Sequence, residues 1–249
     1  MNRRMMELAT AGVVLLLPFA AAAYRPFNST DAAVAAKGEF EAEVGPLGYV
    51  SHNSDRSLIA PGLILNWGFA DRWELVLEGR NFIQLSAPEP RPTVRLDDTA
   101  LSLKGVLRPG SLQESTGPSI ATELSALLPT INGEAGVGAE LALIASQRWS
   151  ALTLHLNGAA AWTRSHQLGY FVGAIVEGPH AWSVRPVGEV FIERAGDGAL
   201  VKSGLLGAIW RISDGLALDV AVRVAPNTSG TEVELRFGFT FAAGIGFPR

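Results

Sequence analysis

The sequence predicts an all-β fold: a transmembrane antiparallel up-and-down β-barrel of about twelve strands. Three observations carry that expectation. From Val233 to Phe247 every second residue is apolar (Val233, Leu235, Phe237, Phe239, Phe241, Ala243, Ile245, Phe247), and the residues between them are polar or small. Period two puts one set on each face of a strand, and a run of fifteen residues is far longer than the usual ~5–6. Second, 48% of the chain is apolar, yet no stretch after residue 23 reaches the ~18 consecutive apolar residues of a spanning helix. Interleaving of that kind suits a barrel. Third, Arg3 and Arg4 precede an apolar run from Leu8 to Phe19 and four alanines at 20–23, the pattern of a secretory signal peptide cut after Ala23. Its apolar core is short of the ~20 residues that a membrane anchor needs.

The chain is therefore expected to divide into a signal peptide (1–23), a periplasmic N-terminal segment (24–37) and a barrel (38–249) in the bacterial outer membrane. Loss of Arg3, Arg4 and Glu7 leaves 18 basic and 23 acidic residues, a net charge of −5. That balance argues against nucleic acid, which demands a basic surface. There is no cysteine, so disulfides contribute nothing to stability and no lipid-modified cysteine follows the apolar run. The partners implied are outer-membrane lipid, the outer-membrane assembly machinery and a small solute; the oligomeric state is not legible.

Taken in order, alternating segments fall at 38–50, 57–68, 72–85, 97–107, 119–129, 136–146, 149–164, 167–177, 182–194, 199–211, 216–225 and 231–247. An even count puts both ends on the periplasmic side. Tight inner turns are expected at Ala70-Asp71, Gln147-Arg148 and Ser213-Asp214-Gly215, with longer outer loops at 86–96, 130–135 and 225–230. The long Gly/Pro/Ser-rich connection 108–118 departs from this scheme by falling on the inner side. Trp67, Trp73, Trp149, Trp182 and Trp210 all lie beside inner turns, and Trp162 lies at the other end near Tyr170. Tryptophan favours the membrane interface, so this grouping supports the strand count independently.

Parity assigns the faces. On the third strand Trp73, Leu75 and Leu77 face lipid while Glu74, Glu78 and Arg80 face the lumen. The same rule turns inward Glu39, Glu41 and Glu43 on the first strand and Lys104 on the fourth. It does so for Glu123, Glu140 and His155 on the fifth to seventh, and for Arg185, Glu189 and Glu193 on the ninth. Asp219 and Arg223 follow on the eleventh, and Glu232, Glu234 and Arg236 on the last. A slip of one residue would turn these to lipid, at ~2–4 kcal/mol for each midplane Arg or Lys. The tenth strand conflicts with itself: Lys202 and Arg211 have opposite parity, which calls for a bulge or for one of them lying beyond the apolar band.

These lumenal charges either fill and stiffen the interior as ion-pair ladders or make an acid-rich pore that prefers cations. Catalytic signals are poor. Ser165 and His166 are adjacent and point apart, His155 points inward, His52 and His180 fall on opposite sides, and no G-x-S-x-G occurs. Four scattered histidines without cysteine give no metal-ligand spacing, and no catalytic, cofactor or metal residue is assigned.

The chain resembles the outer-membrane "transporter" family associated with the meta-pathway of phenol degradation. The likeness begins with Arg25-Pro26-Phe27 and Asp31-Ala32, then Phe69-Ala70-Asp71-Arg72-Trp73-Glu74-Leu75 and Asp98-Thr99-Ala100-Leu101-Ser102-Leu103-Lys104. It resumes at 123–128 with Pro129-Thr130, at Leu154-His155-Leu156-Asn157, at Gly188-Glu189 and at 214–222. The resemblance implies a barrel that moves small compounds, aromatic or hydrophobic ones among them, and supplies no catalytic residues. Two departures stand out. Phe247 is followed by Pro248-Arg249, where barrels of this kind finish on the aromatic. Pro186 interrupts the ninth strand, where it predicts a bulge or a local gap in pairing.

The expected function is thus a passive channel or transporter. The alternative is a structural or partner-binding barrel with a closed lumen, and a lipid-modifying enzyme is the third reading. Residues 25–37 are expected either to plug the lumen, to lie along its wall, or to form a free tail.

Overall fold

The computed structural model describes residues 25–86, 94–227 and 230–244. The expected signal peptide, the tip of the 86–96 loop and the Phe247-Pro248-Arg249 ending lie outside them. Twelve antiparallel strands pair in chain order, and β1 joins β12 to close the barrel. They are β1 (Glu39–His52), β2 (Asp55–Ala70), β3 (Trp73–Ser86), β4 (Val94–Arg108), β5 (Ser119–Leu127) and β6 (Gly138–Arg148). The second half comprises β7 (Thr153–Trp162), β8 (Leu168–Glu177), β9 (Val184–Arg194), β10 (Val201–Ser213), β11 (Leu216–Asn227) and β12 (Gly230–Gly244). Closure leaves no open edge, so strands of 9 to 16 residues are held along their length.

The faces are inverted relative to a soluble protein. Along β11, Ala217, Asp219, Ala221, Arg223 and Ala225 are buried while Leu218, Val220, Val222 and Val224 are exposed. Leu206 is 72% exposed on the outside, whereas Lys104 is fully buried on the inside. An outer wall of large aliphatic side chains is unfavourable in water and favourable in hydrocarbon. All six tryptophans are exposed: Trp67, Trp73, Trp162 and Trp210 on the outer face of strands, and Trp149 and Trp182 in connections. Trp67, Trp73, Trp149, Trp182 and Trp210 flank the connections at the end that carries the start of β1 and the end of β12, and Trp162 closes β7 at the opposite end.

Several details differ from the expectation. β6 runs through Arg148, so the inner turn falls at residues 149–152 and β7 starts only at Thr153. On β10 the register shifts between Arg211 and Ser213, and Lys202 points outward at the opposite rim. That shift lies beyond Arg211, so it does not separate the two residues: Lys202 and Arg211 keep opposite parity and sit near opposite ends of the strand. Pro186 causes no bulge, since β9 pairs with β10 without interruption. Its carbonyl accepts from the Gly178 amide, so its missing N–H also faces β8, just past the last β8–β9 pair at Glu177 and Val187. The bulge lies elsewhere. The β1–β2 ladder breaks between Gly45/Gly62 and Gly48/Ile59, where Pro46 and Pro61 sit, with matching shifts toward β12 and β3. Asn81 donates its side-chain amide to the Ala60 carbonyl at 2.9 Å, giving that acceptor a partner.

Candidate functional site

Residues 25–38 form a strap inside the barrel, and the inner wall supplies what its backbone lacks. An extended segment with no sheet partner must find acceptors for its N–H groups. Glutamates provide them. The Arg25 amide donates to Glu43 at 2.8 Å, the Ser29 amide to Glu189 at 2.6 Å, the Ala35 amide to Glu74 at 2.6 Å and the Ala36 amide to Glu39 at 2.8 Å. Asn28 also donates to Glu189 at 2.9 Å, Thr30 to the Asn157 side chain at 3.1 Å and Ala32 to Ser146 Oγ at 2.9 Å. Its carbonyls are held in turn: Arg236 donates to Pro26 O, Asn157 to Thr30 O and Gln113 to Ala32 O. The strap thus contacts strands all round the barrel and crosses the bore.

Two apolar anchors complete it. Phe27 packs against Val187, Ile209 and Ala217 from β9 to β11. Ala32, fully buried, packs with Ala121, Ile144 and Leu112. Leu112 comes from the 109–118 connection, which folds a single 3-10 turn at Ser111–Gln113 and braces the strap from the termini-bearing end. Gly68 makes room where the strap enters β1, because a Cβ there would lie 2.2 Å from Ala36 O.

Charge pairing organises the rest of the interior. Lys104 Nζ lies 3.6 Å from both Asp31 of the strap and Glu74, and 3.2 Å from Thr30 Oγ1. Glu123 faces Lys104 across β4 and β5. Glu234 bonds Arg236 at 2.8 Å and Arg223 at 2.8 Å, and Arg223 also pairs with Glu232. Arg80 reaches Asp98 and, at 3.8 Å, Glu234 on β12. Asp219 meets Arg25 at 3.4 Å. Glu78, Glu123, Glu140 and Glu193 line a cavity of about 630 Å³ that runs from Phe27, Asn28, Ser29 and Thr30 to the rim opposite the termini. A smaller space of about 240 Å³ beside the β1–β2 bulge is lined by Arg25, Arg80, Glu234 and Arg236.

One constellation was missed. Ser146 Oγ lies 2.8 Å from His155 Nδ1, His155 Nε2 lies 3.1 Å from Glu177, and Glu177 lies 3.0 Å from Arg185. Ser, His and acid in a row have the composition of a hydrolase triad, but this serine is 1% exposed and already accepts the Ala32 amide. In this arrangement it anchors the strap. The residues come from three strands and share no sequence motif, so only their common inward parity could have hinted at it. Arg185 also approaches His180 in the β8–β9 connection at 3.3 Å. Burial, then Arg148, Arg185 and Arg211, hold the His180 imidazole below its ordinary pKa, against a smaller opposing pull from Glu177.

No protein-family model and no curated protein matches the chain. Solved barrels do match in shape. An outer-membrane channel from Pseudomonas putida F1 superposes with a TM-score of 0.65 at 11% identity, over 87% of this chain and 99% of that one. KdgM porin in complex with disordered oligogalacturonate gives 0.58 at 12% identity, over 84% of this chain and 99% of its own. NanC porin gives 0.56 at 9% identity, over 81% and 98%. At such identities the likeness is one of fold: this chain is built as a closed twelve-stranded antiparallel barrel like those of known outer-membrane channels and porins.

Proposed function

We propose that the protein is an outer-membrane channel for a small solute, closed at rest by its own N-terminal strap. The strap carries this reading. A barrel built only as a wall can fill its lumen with side chains, whereas here the interior carboxylates hold a separate segment through backbone hydrogen bonds. The aliphatic outer face and the tryptophans support insertion in lipid. The matched folds, two porins and a channel, support passage as the role. In this reading the end that bears the termini is periplasmic, and signal-peptide removal frees the strap to enter the bore. The solute is small, and the family resemblance favours an aromatic or hydrophobic one.

Planar-bilayer recording of the purified protein tests this. The full-length mature chain should conduct little, and a variant lacking residues 24–36 should conduct in large, stable steps. A deletion variant that keeps the heat-dependent gel shift of a folded barrel yet stays silent would favour the structural reading.

A further inference from the structure

The cavity above the strap is charged in a one-sided way. Of its lining side chains seven are acidic (Glu78, Asp98, Glu123, Glu134, Glu140, Glu193, Asp197) and three are basic (Lys104, Arg164, Arg194). The bases are already engaged. Lys104 is paired with Asp31 and Glu74, Arg164 donates to the Leu128 and Thr99 carbonyls and lies 3.9 Å from Glu134, and Arg194 donates to the Gly198 carbonyl. Of the acids, Asp98 is held by Arg80 and Glu134 by Arg164, which leaves the excess on Glu78, Glu123, Glu140, Glu193 and Asp197. Glu140 and Glu193, from β6 and β9, have no hydrogen bond or ion pair among the described residues, and Glu78 on β3 faces the same space. Asn66 lies on the cavity lining, fully buried, and its Oδ1 lacks a partner among the described residues. Phe27 of the strap and Phe171 of β8 add aromatic surface.

We infer that this cavity is a binding site for an organic cation: an ammonium group attached to a compact aromatic or aliphatic body. Carboxylates from several strands around one bore create a negative potential that a single positive centre relieves. The aromatic rings offer both apolar surface and a face for the cation. A volume of about 630 Å³ is within the usual ~300–1,000 Å³ of small-molecule sites. An anion meets only committed bases, and a neutral solute leaves the acid excess uncompensated. The inference rests on the channel reading, since it takes the cavity to be the outer mouth of that channel.

Calorimetric titration of the full-length protein in a non-ionic detergent decides it, with benzyltrimethylammonium, benzyl alcohol and benzoate as probes. The cation should bind saturably, at about one per chain and at least about tenfold tighter than benzyl alcohol, a difference of ~1.4 kcal/mol, and benzoate should not bind. Replacing Glu140 and Glu193 together with Gln should weaken the cation about tenfold or more. No saturable cation binding, equal affinity for benzyl alcohol, or an unchanged double variant would overturn the inference. The wild-type comparison of the three probes stands even if the variant fails to fold. Absent binding beside an intact strap-deletion conductance sinks this site alone, while binding beside a silent deletion variant sinks the channel reading alone.

Discussion

Glu189 on β9 accepts the backbone amide of Ser29 at 2.6 Å and that of Asn28 at 2.9 Å, so one inward carboxylate grips two consecutive residues of the strap. Hydrogen bonds to an ionised group contribute ~1.5–3 kcal/mol each. Glu189→Ala should therefore raise the strap-released population by roughly 10–100-fold, taking ~1.4–2.8 kcal/mol of net effect. Open probability in bilayers measures it, and an unchanged value would show that the strap does not depend on this clamp.

Lys104 is the pivot between strap and wall. Its ammonium is fully buried between Asp31 and Glu74, with Glu123 opposite. Lys104→Met leaves those carboxylates without their cation, and breaking a buried pair costs ~3–5 kcal/mol. The urea unfolding midpoint should fall clearly. Asp31→Asn removes only the strap's side and should fall less while loosening the strap.

Gly68 tests the seat by volume alone. A valine there would place Cβ 2.2 Å from Ala36 O and 2.3 Å from Ala35 O, which are backbone atoms that cannot rotate away. Gly68→Val should expel the last turn of the strap and raise conductance, with the barrel's heat-dependent gel shift retained.

Tryptophan fluorescence tests the outer face. Trp67, Trp73, Trp162 and Trp210 are exposed on the outer face of strands, and Trp149 and Trp182 are exposed in connections at one rim. In vesicles, brominated lipids should quench most of the emission and acrylamide little of it. The reverse pattern would remove the protein from the membrane.

His180 gives the pH dependence. Burial and its arginine neighbours lower its pKa from 6.5 in the folded protein. Above that pH the imidazole is neutral in both states. As the pH falls below it, the unfolded chain takes up a proton that the folded chain resists, so stability is lost on acidification. Going from pH 7 to pH 5, His180→Gln should lose less of its urea midpoint than the wild type does.

Strand alternation was legible because its cause is local: successive side chains on a strand point to opposite faces, and a barrel in lipid demands that they differ. The sequence by itself therefore determined the number of strands and the grouping of tryptophans beside the inner turns, and it assigned residues such as Glu74, Lys104, Glu189 and Arg236 to the inner face, where they are buried. It placed Pro186 as an irregularity but not the bulge at Pro46 and Pro61, because a missing N–H matters only on the side where a partner strand stands. Tertiary structure alone decided what the inward charges do. Glu43, Glu74 and Glu189 hold strap amides, Glu140 and Glu193 face open space, and Ser146, His155 and Glu177 line up beneath Ala32. The reason is physical. Parity states which face a side chain takes, but its partner across the bore belongs to a strand far away in sequence, and only closure of the barrel around the strap brings the two together.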